Sequence, residues 1–248
     1  MDYICNVTTY GQFCSFARAL DLLGERWTLL IVRELLCGSR RFNDVRRGIP
    51  RISRTMLSAR LRALVDGGLI TRSIGRNGTT TYELTDAGRQ LAATVRELGT
   101  WGQRWLPRQL TREQLDADAL LWDMRRRVRT EELPADPVVA RIEFKDASGR
   151  AGVRFLLLRR SEVSVCSTNP GFPEELRIRA SLRTLIAWWR GDISLADARA
   201  EGMLIEGKRT CVRAFPKWFE RYLFADVAPA TALPDSPRRA QTRRAARR

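Results

Sequence analysis

The sequence predicts an α+β protein of two domains. The first is mostly helical and carries a β-hairpin; the second is an antiparallel sheet with helices on one face. Three observations predict this. Residues 41–84 read helix, short turn, helix, hairpin, the order of a winged helix-turn-helix. From Val138 the apolar period changes to two, with Val138, Ala140, Ile142 and Phe144 on one face. Between them, Pro107 to Asp118 is polar and uneven. At 248 residues, about two domains are expected. Their bounds are 12–106 and 120–226, with a linker at 107–119 and a disordered basic tail at 227–248.

The elements follow from local pattern. Phe16, Ala17, Ala19, Leu20 and Leu23 share a face of a first helix, which Gly24 ends. Trp27 to Leu36 is apolar nearly all round, so it is expected to be the central core helix. Phe42 and Val45 turn the next helix toward it. After Gly48-Ile49-Pro50-Arg51, Ser53 is placed to cap a further helix that stops at Gly67-Gly68. Two β-like runs flank Gly75-Arg76-Asn77-Gly78, and Asn-Gly favours a tight turn. Thr85-Asp86 then cap a helix to Trp105. Leu91, Val95, Leu98, Trp101 and Trp105 form a continuous apolar edge on it, long enough to need a partner. A short helix with Leu120, Leu121, Trp122 and Met124 opens the second domain. Strands follow at Val138 to Phe144, Val153 to Leu158, Val163 to Ser167 and Leu176 to Ala180. Two helices then end at Gly191 and Gly202, the second capped by Ser194, before a strand at Met203 to Ile205. Pro216 is expected to bend the helical stretch Cys211 to Phe219.

The formal charge of +16 is unevenly spread. Residues 1–106 hold 16 basic and 9 acidic side chains, and residues 238–248 hold 6 and 0. Residues 107–237 hold 22 and 19 and are nearly balanced. A polyanion partner for the first domain and the tail is the economical reading. The chain has no histidine, which removes the commonest general base and most zinc sites. Five widely spaced cysteines fit a reduced cytoplasm rather than a disulfide framework. No apolar run approaches the roughly 20 residues of a membrane span. No phosphate loop, metal-ligand spacing or nucleophile with a base is found, so no enzyme, cofactor or metal is expected.

The helix after Ser53 carries the chemistry of a groove reader. Leu57, Leu61 and Leu64 form its inward stripe, leaving Thr55, Ser58, Ala59 and Arg62 opposite. Small side chains permit close approach, and Arg reads guanine edges. Arg41, Ser53, Arg54 and Arg76 are placed to grip phosphates, and Arg76 with Asn77 forms the wing tip. The competing reading is an amphipathic helix with a solvated face.

Specific motifs then appear in order: Cys14-Ser-Phe-Ala-Arg-Ala-Leu-Asp-Leu-Leu-Gly-Glu-Arg-Trp-Thr-Leu-Leu-Ile-Val-Arg-Glu-Leu, Gly38-Ser-Arg-Arg-Phe, Ile52-Ser-Arg-Thr-Met-Leu-Ser-Ala-Arg-Leu-Arg-Ala-Leu, Gly67-Gly68-Leu-Ile and Tyr82-Glu-Leu-Thr-Asp-Ala-Gly. This series resembles the HxlR family of winged-helix transcriptional regulators, related in fold to the MarR group. The resemblance implies a bacterial, cytoplasmic regulator that binds double-stranded DNA as a homodimer on an inverted repeat. It also implies that the other subunit covers the edge from Leu91 to Trp105. In some members a cysteine at the place of Cys14 senses oxidants or electrophiles. The physical basis would be a thiolate stabilised at a helix N-terminus.

Ala180 to Gly207, with its helix, Gly-Asp turn, second helix and Gly-preceded strand, resembles the late part of a sterol carrier protein-like domain. That implies an apolar cavity for a hydrophobic ligand. Leu185, Trp188, Trp189, Phe215 and Trp218 are its candidate lining, although aromatic residues also simply fill cores. Trp188 and Trp189 are adjacent and cannot both face inward. A second overall reading is therefore a lipid carrier whose first half serves to dimerise.

Overall fold

The computed structural model describes residues 9–147 and 152–230. The basic tail from 231 onward, Cys5 and the end of the turn after Phe144 lie outside them. The chain forms two compact units, and each is drawn from two stretches of sequence.

The first unit holds residues 9–96 and Ala117–Arg126. Its elements are α1 (Ser15–Leu23), α2 (Thr28–Leu36), α3 (Phe42–Gly48), α4 (Arg54–Asp66), β1 (Ile70–Ile74), β2 (Thr80–Leu84), the first half of α5 (Asp86–Trp105) and α6 (Ala117–Arg125). Ile31, Val32 and Leu35 of α2 are buried with Val45, Ile49 and Ile52 and with the α4 stripe. This makes α2 the central helix, as its all-round apolar composition predicts. β1 and β2 pair antiparallel from Ile70↔Leu84 to Ile74↔Thr80. The backbone before α3 adds a third edge, with Tyr82 N donating to Arg40 O at 2.8 Å. α1 departs from expectation. Only Ala17 is buried on it, and Phe16 is exposed.

The second unit holds Glu97–Asp116 and residues 127–230. It contains β3 (Val138–Phe144), β4 (Val153–Leu158), β5 (Val163–Cys166), β6 (Glu174–Ala180), α7 (Leu182–Trp189), α8 (Leu195–Ala200), β7 (Leu204–Gly207) and α9 (Arg209–Ala214), then a 3-10 turn at Phe215–Trp218 with Pro216 near its start. The strand order is β5-β4-β3-β6-β7. The expected all-antiparallel sheet is corrected here, because β6 runs parallel to β3 in a mixed sheet. The link between these parallel strands is the β4–β5 hairpin, which lies in the same sheet. No crossover helix marks it in the sequence. Leu176, Ile178 and Ala180 alternate inward along β6 with exposed Arg177 and Arg179.

The expected bounds at 106 and 120 are also corrected. The last turns of α5 belong to the second unit. Gln103 Nε2 donates to Asp192 Oδ1 at 3.3 Å, Arg190 donates to Gln103 at 2.9 Å, and Arg108 pairs with Asp192 at 3.0 Å. Gly99 sits against the Phe224 ring, where any Cβ would overlap it. Conversely, α6 belongs to the first unit, with Leu120, Leu121 and Met124 buried. The guanidinium groups of Arg47 and Arg125 each lie over the ring of Trp122 of α6, at 5.4 and 4.8 Å. No described helix is long and apolar enough to cross a membrane.

Candidate nucleic-acid interface

Ser53 caps α4 as its sequence predicts, its Oγ accepting from Met56 N at 3.1 Å. Leu57, Leu61 and Leu64 are 0, 1 and 0% exposed, so the stripe fixes the helix rotation. Ser53, Arg54, Thr55, Ser58, Ala59 and Arg62 are consequently all exposed. α3 precedes this helix by a short turn, and Arg41 stands at the α3 N-cap, also exposed.

The wing has a specific geometry. Gly78 N donates to Gly75 O at 2.9 Å, Gly75 N donates to Thr79 O at 2.9 Å, and Gly78 has a φ of +73°. This is a three-residue loop, Arg76-Asn77-Gly78, closed by a glycine in the left-handed region. The Oδ1 of Asn77 accepts from Thr79 N at 3.0 Å, which orients its side chain within the loop. It shapes the tip, and Arg76 is the exposed group upon it. Among the described residues no carboxylate pairs with Arg41, Arg54, Arg62 or Arg76, whereas Arg40 pairs with Glu83 at 2.8 Å and Arg60 with Glu25 at 2.5 Å. Arg72 on β1 was missed from sequence. It is exposed and unpaired in the same sense, and alternation could not have found it, because it shares a strand face with buried Ile70.

The apolar edge of α5 divides. Leu91 and Val95 are half-buried against the core of the first unit, which corrects their reading as free edge. Leu98, Trp101 and Trp105 remain exposed, Trp101 at 56%. On the N-terminal arm Phe13 is 99% exposed and Phe16 is exposed on α1.

Cys14 is fully exposed at the N-cap position of α1. The backbone N–H groups of Ala17 and Phe16 hold its thiol below the usual cysteine range, against a small opposing effect of burial.

The aromatic residues among the candidate pocket lining pack on one another and on Phe219. Phe215 stacks on Trp188 at 6.1 Å and meets Trp218 edge-on at 6.3 Å and Phe219 at 5.1 Å. Leu185, Trp189, Phe215 and Trp218 are buried, and Trp188 is half-buried. Edge-to-face packing accounts for the aromatic composition that suggested a pocket.

Residues 22–110 match the HxlR-like helix-turn-helix family. An uncharacterised HTH-type transcriptional regulator of Mycobacterium tuberculosis is 48% identical over 96 residues, which are 38% of this chain and 60% of the relative. The chain therefore spans about 60% of the length of that relative. The HTH-type transcriptional regulator YvaP of Bacillus subtilis is 37% identical over 93 residues, 37% of this chain and 86% of the relative. The solved structure of the reduced form of the regulator YodB from B. subtilis shares 33% identity, covering 37% of this chain and 93% of its own, with a TM-score of 0.34. With 37% identity across 86% of YvaP, the chain belongs to the HxlR-like helix-turn-helix family.

Proposed function

We propose that the protein is a DNA-binding transcriptional regulator that docks α4 in a major groove and the Arg76 wing on the flanking backbone. One observation carries this reading. The side of α4 away from the buried leucines carries Thr55, Ser58, Ala59 and Arg62, all exposed, with Asp66 at its C-terminal end, beside a wing tip with an unneutralised arginine. Thr55, Ser58, Ala59 and Arg62 meet base edges, while Arg41, Ser53, Arg54 and Arg76 hold phosphates. A single α4 reads one half-site. The exposed Leu98, Trp101 and Trp105 of α5 supply apolar surface for a second copy, and a two-fold pair reads an inverted repeat. Cys14, exposed with its thiol already shifted toward the thiolate, makes the N-terminal arm responsive to electrophiles.

The test is selection of genomic fragments by the purified protein, followed by affinity for the selected duplex and for random duplex across salt. A regulator shows a specificity ratio far above unity and a steep salt slope. Equal affinity for both duplexes sinks the proposal. A lipid-carrier reading has no comparable support, because the aromatic residues it relied on are buried against one another.

A further inference from the structure

Glu34 is an acid in the last turn of the central helix, and its side chain is 0% exposed. Its Oε1 accepts from Arg33 Nη2 at 2.6 Å, and its Oε2 accepts from Ser39 Oγ at 3.3 Å. Arg126 Nη1 donates to Oε2 at 2.9 Å and Arg126 Nη2 to Oε1 at 3.4 Å, a two-pronged pairing. Arg33 Nη2 also donates to the carbonyl of Gly48 at 3.0 Å. The Glu34 carboxylate occupies the place a Cβ on Gly48 would take. Gly48 is the last residue of α3, and the turn after it aims α4. The carboxylate is thus a strut beneath the turn of the helix-turn-helix.

Arg126 reaches this strut from 92 residues further along the chain, beyond the span that matches the family. Asp123, one turn back on α6, holds its Nε at 2.9 Å. Burial alone would depress the guanidinium, but Glu34 and Asp123 outweigh it and hold Arg126 above the ordinary arginine value. The chain leaves the first unit directly afterwards. Arg127 O accepts from Glu220 N at 2.7 Å, and Arg129 N donates to Trp218 O at 2.7 Å.

We propose that Arg126 is a positioning residue for DNA recognition: it clamps Glu34 against Gly48 and so sets the turn that aims α4, at the point where the chain passes into the sheet-bearing unit. This rests on the DNA-binding reading above. Without Arg126 the carboxylate keeps one cation, Arg33, whose side chain is 37% exposed. It then swings toward Arg33 and water and leaves Gly48 unsupported.

The experiment compares wild type, Arg126→Met and the double variant Glu34→Gln/Arg126→Met on the duplex selected by the wild type and on random duplex. Melting temperature and hydrogen exchange at residues 46–57 are read alongside. Arg126→Met is expected to lose about tenfold in affinity for the selected duplex, the size of effect carried by about 1.4 kcal/mol. Affinity for random duplex should change less than twofold, and exchange in the turn should rise. The double variant removes the unpaired charge, so it should regain the melting temperature but not the selectivity. Recovery of both in the double variant would reduce the pair to a stability role and overturn the proposal. Wild-type selectivity in a folded Arg126→Met would overturn it too. A wild type with no preference between duplexes would instead fell the DNA-binding reading itself.

Discussion

Replacing Gly48 by alanine isolates the strut from every other contribution. Gly48 lies in α3, where alanine is ordinarily the better residue by roughly 0.5–1 kcal/mol. Here the added methyl overlaps the Glu34 carboxylate, which is enclosed and bonded to Arg33, Ser39 and Arg126. The carboxylate has to move, and breaking a buried charge pair costs about 3–5 kcal/mol. Subtracting the helix gain leaves a net destabilisation of about 2–4 kcal/mol for the first unit. Native-state hydrogen exchange in α2 and α3 reads this unit alone. At about 1.4 kcal/mol per factor of ten, their slowest amides should exchange roughly thirty-fold to several hundred-fold faster. Glu34→Asp withdraws the carboxylate by one methylene. Glu34→Asp combined with Gly48→Ala should therefore be more stable than Gly48→Ala alone. A Gly48→Ala protein as protected as wild type, or better protected, would refute the idea that the carboxylate bears on the turn.

Other outcomes are expected from the same geometry. Arg62→Ala should cost about 1–3 kcal/mol on the selected duplex and little on random DNA if it holds a base edge, as titrations on both will show. Arg76→Ala should weaken binding to all sequences alike and reduce the salt slope by about one. Trp101→Glu places a charge in an exposed apolar position. It should convert a dimer to monomer in sedimentation, and an unchanged sedimentation profile would exclude this part of α5 from the contact. Alkylation of Cys14 should reach half its maximal rate at lower pH than an unstructured cysteine peptide. Its folded thiol is shifted downward, and the reactive thiolate predominates above that pKa. Coincident pH profiles would remove the argument for its reactivity.

The candidate interface was legible because it depends on local period. Leucines at 57, 61 and 64 fix which side of α4 is outward, and Ser53 marks where it starts. The wing was legible from its glycines, although the role of Asn77 turned on one hydrogen bond to Thr79 that sequence does not display. What was not legible is which distant stretch answers a buried group. Leu120, Leu121 and Met124 announce that α6 is buried, but not beneath which unit. Glu34 in an apolar helix gives no sign of its counter-ion, because Arg126 lies 92 residues away. The direction of β6 escaped for a similar reason, since alternation records faces and not the sense of the strand. Trp188, Phe215 and Trp218 look alike in composition whether they line a cavity or pack ring on ring.

The interleaving of the two units has a consequence for biosynthesis. When Glu34 is added to the chain, Arg126 is still 92 residues downstream. At about 5–20 residues per second, that interval lasts roughly five to twenty seconds. A nascent chain can form the α2–α4 core early, but its acid has only Arg33 and Ser39 as partners until translation has passed Arg126. A chain that ends between α4 and Arg126 therefore keeps the leucine-packed core but leaves the Glu34 carboxylate without its two-pronged partner.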